Sequence, residues 1–233
     1  MKKRCAKAWL VAGTVLWLSS CLGCGSKRYE DRLQETVKRL RQESGFSGMR
    51  PAVQLSGTPV MVQLPRFLAE SPLPEDSDAR RLKAPSVEIP DLKSTYEGFI
   101  TDSDGGKQHY YCYLAATKKD PQRQLQQQVG VFPEVGLDWK SVDCERPGGG
   151  TEQWKQLQGS GLQQEFYYLD KEGQATYRKM PAEIRLYVRR VGDFFVVIGW
   201  RLPAKIGQNI GWEKDLGLDQ WAKRVAGGVT LKE

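Results

Sequence analysis

Residues 182–201 read AEIRLYVRRVGDFFVVIGWR, and this stretch decides the fold of the chain. Over residues 184–189, apolar side chains alternate with polar or aromatic ones, which is the period of a strand with one buried face. A turn at residues 192–193 follows, and residues 194–198 are then apolar on both faces. A strand of the second kind is typical of a sheet centre that is covered on both sides. The stretch therefore predicts an antiparallel hairpin at the centre of the sheet.

Strand-like segments recur along the chain before this hairpin. Residues 95–101 and 108–117 flank turn residues at 102–106, and they predict a second hairpin. Turn residues at 170–173 connect a further strand to the first hairpin, which extends it into a meander. The remaining strand candidates are 60–64, 137–144, 162–169 and 229–231.

Two segments predict helices that would cover the sheet. Residues 120–131 begin with the capping residue Asp120 followed by proline, and they bury Leu125 and Val129. Residues 219–226 predict a terminal helix that ends at a pair of glycines. The expected fold class is α+β, with a mainly antiparallel β-sheet flanked by helices in an α/β/α sandwich.

Residues 71–90 interrupt the regular pattern. They contain four prolines and many charged residues, which is typical of an exposed loop. A long loop of this kind is either a binding loop or a mobile insertion, and both interpretations stay open at this point.

The order of the elements is similar to that of a known fold. The early strand ending at Leu64-Pro65, the hairpin over residues 189–198, and the closing helix and strand through Leu231 resemble the PsbP-like α/β/α fold. Members of that group are mostly non-enzymatic accessory or assembly factors. The resemblance implies a binding role, as an inference from fold analogy.

Near the N-terminus, a basic start precedes an apolar segment over residues 8–18 and the motif LSSC at residues 18–21, an order typical of a secretory signal peptide. The 11 apolar-segment residues would rise only about 16 Å as a helix, against about 30 Å of hydrocarbon, so a permanent membrane span is disfavoured. The motif resembles the lipobox of bacterial lipoproteins, which implies a diacylglycerol on the Cys21 thiol and cleavage before that residue. Cys24, which follows Leu-Gly, is the alternative lipidation site. An ordinary secreted protein and an uncleaved anchor are the competing interpretations.

The lipobox resemblance divides the chain into three parts. Residues 1–20 are expected to be the signal peptide, residues 21–50 a lipidated tether, and residues 51–233 a single globular domain. Within the tether, residues 27–42 predict a stem helix with one narrow apolar stripe, suited to a coiled-coil contact, a basic stem near anionic headgroups, or a plain spacer. The implied location is the extracytoplasmic side of the bacterial cell envelope, with the membrane bound through the lipid anchor.

The formal net charge of +7 is confined to the N-terminal part of the chain. Four basic residues lie in the signal segment and residues 26–50 carry a net +3, so the body from Pro51 onward is neutral. A neutral exported body does not favour nucleic acid as a partner.

Residue types exclude several kinds of site. The one histidine, His109, lies three positions from Cys112 and hence on the opposite face of the same strand. One histidine excludes a His-rich zinc motif, and the Gly-x4-Gly-Lys-Ser/Thr phosphate loop does not occur. The turn at 102–106 begins like a calcium loop but lacks the later oxygen ligands. We predict no catalytic residue, metal ligand or cofactor.

Cys112 and Cys144 are the cysteines of the globular body. In an oxidising compartment a disulfide between them would close a loop of 33 residues and stabilise the fold by roughly 3–4 kcal/mol. We predict this disulfide, with two separate buried thiols as the alternative.

Tyr111, Tyr113 and Tyr187 are the candidate partner surface. Strand aromatics usually pack into the core through cross-strand pairs, whereas an exposed row of the three would anchor a partner.

Two functions are compatible with the sequence. The first is a non-catalytic envelope lipoprotein that binds or helps assemble another envelope component. The alternative is an envelope hydrolase or small-ligand binder, which would be favoured by paired carboxylates about 5–10 Å apart in a cleft. The candidate carboxylates for that alternative are Glu97, Asp138, Asp143, Glu145 and Glu165.

Overall fold

A computed structural model describes residues 30–37, 46–75, 80, 82–101, 105–136, 138–204 and 217–232. The chain divides into two compact units, Met1–Gly45 and Phe46–Glu233. In the first unit, residues 30–37 are helical, in agreement with the middle of the predicted stem. The rest of the stem, the signal segment, Cys21 and Cys24 lie outside the described residues. No helix in the described part of the chain is long and apolar enough to cross a membrane.

The second unit is mostly antiparallel β-sheet. Its strands are β1 (Val53–Gln54), β2 (Val60–Val62), β3 (Ala69–Glu70), β4 (Leu92–Thr101), β5 (Lys107–Thr117), β6 (Glu134–Val135), β7 (Lys140–Glu145), β8 (Thr151–Leu169), β9 (Ala175–Val191), β10 (Phe194–Pro203) and β11 (Val229–Leu231). The main sheet has the order β3-β4-β5-β10-β9-β8-β6, with β7 paired to β8, and β1-β2-β11 form a small second sheet. The unit also contains the helices α1 (Gln122–Val129) and α2 (Leu218–Gly227). These elements confirm the α+β class.

The predicted central hairpin is confirmed. Strand β10 pairs with β9 from Phe194↔Val191 to Pro203↔Ala182, and its other edge pairs with β5. Successive residues of β10 enter different cores: Val197 belongs to one apolar cluster, while Val196 and Ile198 belong to the other. Both faces of this strand are therefore covered, as its doubly apolar sequence requires.

Helices α1 and α2 each pack into a different one of the two clusters. Leu125 and Val129 of α1 join the cluster that contains Val197, whereas Val225 and Ala226 of α2 join the other. The Asp120 carboxylate accepts a hydrogen bond from the backbone N–H of residue 122 at 2.9 Å, which satisfies a donor at the start of α1.

Strand β8 is longer than the sequence predicted. The prediction missed its first half because that half carries no regular alternation of apolar and polar residues. The sequence indicated a strand over 162–169, whereas the structure has Thr151–Leu169. Trp154 and Leu157 enter opposite clusters, so the period-2 signal is lost. At Gly159 an added Cβ would lie 2.8 Å from a Val129 methyl carbon, which shows how closely α1 packs on this strand.

Residues 71–90 are not a wholly exposed loop. Ser71, Val87 and Ile89 are buried, and the last two belong to the cluster under α1. The expectation of an exposed loop is therefore wrong for these positions. Val87 and Ile89 lie in sequence among prolines and charged residues, yet they pack on the sheet as part of this cluster.

The predicted tyrosine surface is wrong. Tyr111, Tyr113 and Tyr187 are all completely buried, and Tyr187 belongs to a different cluster from the other two. Since β5 and β9 are interior strands with both faces covered, their aromatic side chains form core instead of a surface.

The predicted disulfide is also absent, since Cys112 and Cys144 are free, buried thiols. Cys112 on β5 lies opposite Tyr96 of β4 and Trp200 of β10, whereas Cys144 on β7 lies opposite Glu152 of β8. The two cysteines are therefore not cross-strand neighbours. The alternative of two separate buried thiols is the one observed.

Candidate functional site

Two strand pairs bring aromatic side chains together where β5 meets β8. Phe99 of β4 lies opposite His109 of β5, and Tyr167 of β8 lies opposite Tyr177 of β9. Because the first two residues of β5 also pair with the last two of β8, the two cross-strand pairs become neighbours. We call Phe99, His109, Tyr167 and Tyr177 the aromatic row.

The rings of the aromatic row contact one another in turn. The centroids of Phe99 and His109 are 6.4 Å apart, those of His109 and Tyr167 4.8 Å, and those of Tyr167 and Tyr177 5.8 Å. Phe99 and Tyr177, at the two ends, are 52% and 54% exposed, and the Lys107 ammonium lies 4.6 Å from the Phe99 ring centroid. Exposed aromatic rings with a neighbouring cation are typical of a contact surface.

A polar cluster surrounds Glu97, two residues before Phe99 on β4. The Ser71 hydroxyl donates to Glu97 Oε2 at 3.0 Å, and Lys83 Nζ lies 3.5 Å from the same oxygen. His109 Nδ1 lies 3.8 Å from it. His109 is the largest influence that holds the pKa of Glu97 at about 2, below its ordinary 4.5, with help from Lys83 and Ser71 and against the effect of burial.

This geometry suits an ion pair better than proton transfer. A general base works best with a pKa near 7, and Glu97 binds a proton far too weakly for that role. Lys83 Nζ donates to the Ser71 hydroxyl at 2.7 Å and lies 3.5 Å from the Glu97 carboxylate, so it serves as a donor in this cluster and is not placed to accept the hydroxyl proton. The contacts hold the segment that carries Ser71 and Lys83 against β4.

Three buried polar atoms next to this cluster have no hydrogen-bond partner among the described residues. They are both ring nitrogens of His109 and the hydroxyl of Tyr111. Burial raises the pKa of Tyr111 to about 12, so the hydroxyl is protonated at neutral pH. The 3.8 Å separation of His109 Nδ1 and Glu97 is longer than a hydrogen bond. These atoms are the part of the site with unused hydrogen-bonding capacity.

A buried arginine on β10, Arg201, ties three elements together. Its side chain donates to the carbonyl oxygens of Leu82 at 2.6 Å, Ala84 at 3.0 Å and Glu165 at 2.8 Å. It also donates to Gln164 Oε1 at 2.7 Å. Arg201 is only 2% exposed, and it joins the segment at 82–84 to β8 through hydrogen bonds that no local pattern specifies.

The five candidate carboxylates do not form a catalytic pair. Glu97 lies on β4 and Glu165 on β8, where Glu165 lines a cavity beside Arg201. The other three, Asp138, Asp143 and Glu145, are exposed at and before β7. In the described ranges, no three His, Cys, Asp or Glu side chains are grouped so that they would hold a metal ion.

Sequence reasoning missed Ser71, Lys83 and Arg201 as members of the site. Ser71 and Lys83 lie in the proline-rich segment, where no regular alternation of apolar and polar residues indicates which side chains are buried. Arg201 carried a usable signal, since a charged residue within the apolar run of β10 must either be exposed or be paired in the interior.

No protein-family model matches this sequence, and no curated protein shows significant similarity to it.

Proposed function

We propose that the protein is a membrane-anchored lipoprotein of the bacterial cell envelope whose globular domain binds another envelope component in a non-catalytic accessory or assembly role. The anchoring part rests on the motif at residues 18–21, with Cys21 as the lipidated residue. The proposed domains are a signal peptide over 1–20, a tether with a stem helix over 21–50 and a globular domain over 51–233. A PsbP-like α/β/α sandwich belongs to the same proposal, supported by a helix packed into each of the two core clusters.

The observation that carries the binding role is the aromatic row. Its ends, Phe99 and Tyr177, expose more than half of their surface although both sit on regular strands. Large exposed aromatic side chains anchor protein interfaces because they bury much apolar area at little conformational cost. The low pKa of Glu97 and the dispersed carboxylates give no comparable support to a hydrolase.

A site-directed crosslinking experiment tests the binding role in cells that produce the full chain. A photoreactive residue is placed at Phe99 or Tyr177, and as a matched control at Arg123 or Gln127, which are exposed on α1. We expect a discrete crosslinked product from the first pair only. Equal products from the α1 positions, or none from the aromatic row, would contradict the proposal.

Membrane fractionation tests the anchor separately. Cys21→Ala is expected to move the protein out of the membrane fraction, whereas Cys24→Ala leaves it there, because the lipid is attached to the Cys21 thiol. The reverse result would assign the lipid to Cys24, and retention of both single variants in the membrane would contradict the assignment of the anchor to Cys21 alone.

A further inference from the structure

A surface of aromatic and arginine side chains lies beside residues 46–48, where the second unit begins. The Phe67 and Trp221 rings meet edge to face there, with centroids 5.3 Å apart, and Phe67 is 44% exposed. An added Cβ at Gly48 would lie 2.7 Å from the Trp221 ring, so the first residues of the unit pack directly against this ring pair. The two rings and the arginines around them form what we call the junction patch: Phe67, Trp221, Arg50, Arg66 and Arg224.

The three arginines of the junction patch are held in place without being neutralised. Arg66 Nε donates to the Met49 carbonyl oxygen at 3.3 Å, and Arg50 likewise donates to a backbone carbonyl oxygen. The guanidinium carbon of Arg224 lies 5.0 Å from the Trp221 ring centroid. Among the described residues, none of the three arginines forms a salt bridge with a carboxylate. Backbone oxygens and an aromatic ring therefore orient these cations and leave their charge unpaired.

Neighbouring carboxylates offset only part of this positive charge. Burial lowers the pKa of Arg224, and the Glu145 carboxylate acts against that effect. Burial raises the pKa of Tyr96, Glu70 adds to this rise and Arg50 opposes it, so Glu70 is a second carboxylate in the neighbourhood. Three guanidinium groups against two carboxylates leave the surface with a net positive charge. Such a surface favours an anionic partner, which would form charge-assisted hydrogen bonds with the guanidinium groups.

The position of the junction patch along the chain indicates which anionic partner it meets. The proposed lipid is on Cys21, and residues 21–45 span at most about 85 Å even when fully extended. The lipid anchor therefore keeps the domain at a high effective concentration near the bilayer surface. Tryptophan is enriched at membrane–water interfaces, and an anionic leaflet attracts nearby arginines. The composition of the patch and its place at the start of the domain thus both favour a lipid surface.

We propose that the junction patch lies on the bilayer and binds anionic phospholipid headgroups, with Phe67 and Trp221 at the headgroup level and Arg66 and Arg224 on the phosphates. The inference rests on the proposed lipid anchor, which brings the patch to the membrane. Trp221 belongs to α2 and packs on one core cluster, whereas α1 packs on the other. The α1 side of the domain is therefore directed away from the bilayer.

Photocrosslinking to phospholipid tests this orientation with the full chain reconstituted in vesicles of phosphatidylglycerol and phosphatidylcholine. A photoreactive aromatic residue replaces Phe67 or, as a matched control, Val131, which is 68% exposed and follows α1. We expect several times more phospholipid adduct from position 67 than from position 131, counted per vesicle-bound molecule. Equal yields at the two positions would overturn the proposal. Adducts of position 67 with a second copy of the chain instead of with lipid would also overturn it and would assign the patch to a protein interface.

Charge variants test the contacts with the headgroups. Arg66→Gln combined with Arg224→Gln should lower the adduct yield at position 67 about tenfold, because each arginine near an anionic surface contributes to the attraction. Lys119→Gln combined with Arg123→Gln, which removes two exposed charges before and within α1, should leave the yield unchanged. Vesicles of phosphatidylcholine alone should lower the yield as well. The same yield from the Arg66 and Arg224 double variant, folded by circular dichroism, would overturn the proposal.

The anchor and the junction patch fail in different ways. Cys21→Ala tests the anchor through the amount of protein recovered with the vesicles. The adduct yield per vesicle-bound molecule tests the patch, since it does not depend on how much protein is bound. An anchor without a patch would give full recovery and equal yields at positions 67 and 131.

Discussion

Glu97 shows how three neighbours determine the state of one side chain. It is a half-buried carboxylate, and burial alone would raise its pKa. His109, Lys83 and Ser71 outweigh that effect, since each of them favours the ionised form. The residues come from separate parts of the chain, so the ionisation of Glu97 reports directly on the packing of Ser71 and Lys83 against β4.

Stability should therefore depend on Glu97 at acid pH. The folded-state pKa of about 2 is below the ordinary 4.5, so the contribution is complete above pH 4.5 and is lost as the pH falls toward 2. We expect about 1–2 kcal/mol from this group, because the 3.8 Å separation of Glu97 from His109 is longer than a hydrogen bond and the carboxylate is partly exposed. Urea unfolding of the wild type and of Glu97→Gln between pH 2 and 7 measures this contribution, and the two free energies of unfolding should converge at the acid end.

In the control Glu172→Gln, an exposed residue, the free energy of unfolding should change by less than about 0.5 kcal/mol. A constant difference between wild type and Glu97→Gln at every pH would contradict the assignment.

The two body thiols should be inert in the folded protein. Burial raises the pKa of both Cys112 and Cys144, the latter to about 12, so almost no thiolate exists at neutral pH. We expect iodoacetamide to label neither residue in the native state and both after unfolding without reductant, as measured by peptide mass spectrometry. If the unfolded protein were labelled only after a reductant is added, the result would indicate a disulfide between Cys112 and Cys144 and would contradict the structure.

At the scale of elements, the close approach of α2 to β7 depends on a glycine. A Cβ at Gly227, the last residue of α2, would lie 1.7 Å from the backbone oxygen of Glu145 on β7. Backbone on both sides leaves no flexible side chain to move aside. The helix end and the edge strand therefore fit only because this position has no side chain.

Gly227→Ala should thus destabilise the protein by at least about 2 kcal/mol through overpacking. Gly136→Ala is the matched control, because its Cβ would meet nothing closer than 3.8 Å. Its free energy of unfolding should change by less than about 1 kcal/mol. Chemical denaturation of both variants makes the comparison. Similar values for the two would show that α2 shifts away from β7 at little cost.

At the scale of the whole molecule, the residues of both core clusters lie between Met49 and Val229. A chain that starts at Phe46 should therefore unfold at the same denaturant concentration as the full chain, within experimental error. A chain that stops at residue 217 should fail to fold cooperatively, because it lacks α2 and β11 and so loses a large part of one cluster. Circular dichroism during urea titration measures both. A large loss of stability in the chain that starts at Phe46 would mean that residues 1–45 contribute to the free energy of unfolding.

Local pattern was sufficient for the elements that carry a regular period. The central hairpin, the β4–β5 hairpin and both helices follow from alternation, turn residues and caps, which act over a few neighbouring residues. The first half of β8 escaped detection because Trp154 and Leu157 face opposite clusters. Tyr111 and Tyr187 were assigned to one surface because period alone does not say which strands are interior.

The amino-acid sequence was enough to specify strands, helices, the antiparallel α+β class and a neutral body, since each follows from composition or from periodicity along the chain. The candidate sites needed the three-dimensional structure. Glu97 meets Lys83 and Ser71, Arg201 meets Leu82 and Gln164, and the His109 ring meets the Tyr167 ring only after β5 pairs with β8 at positions about 60 residues apart in sequence. Such contacts depend on which strands become neighbours, and that choice is made by the burial of both faces of the whole sheet instead of by any short stretch of chain.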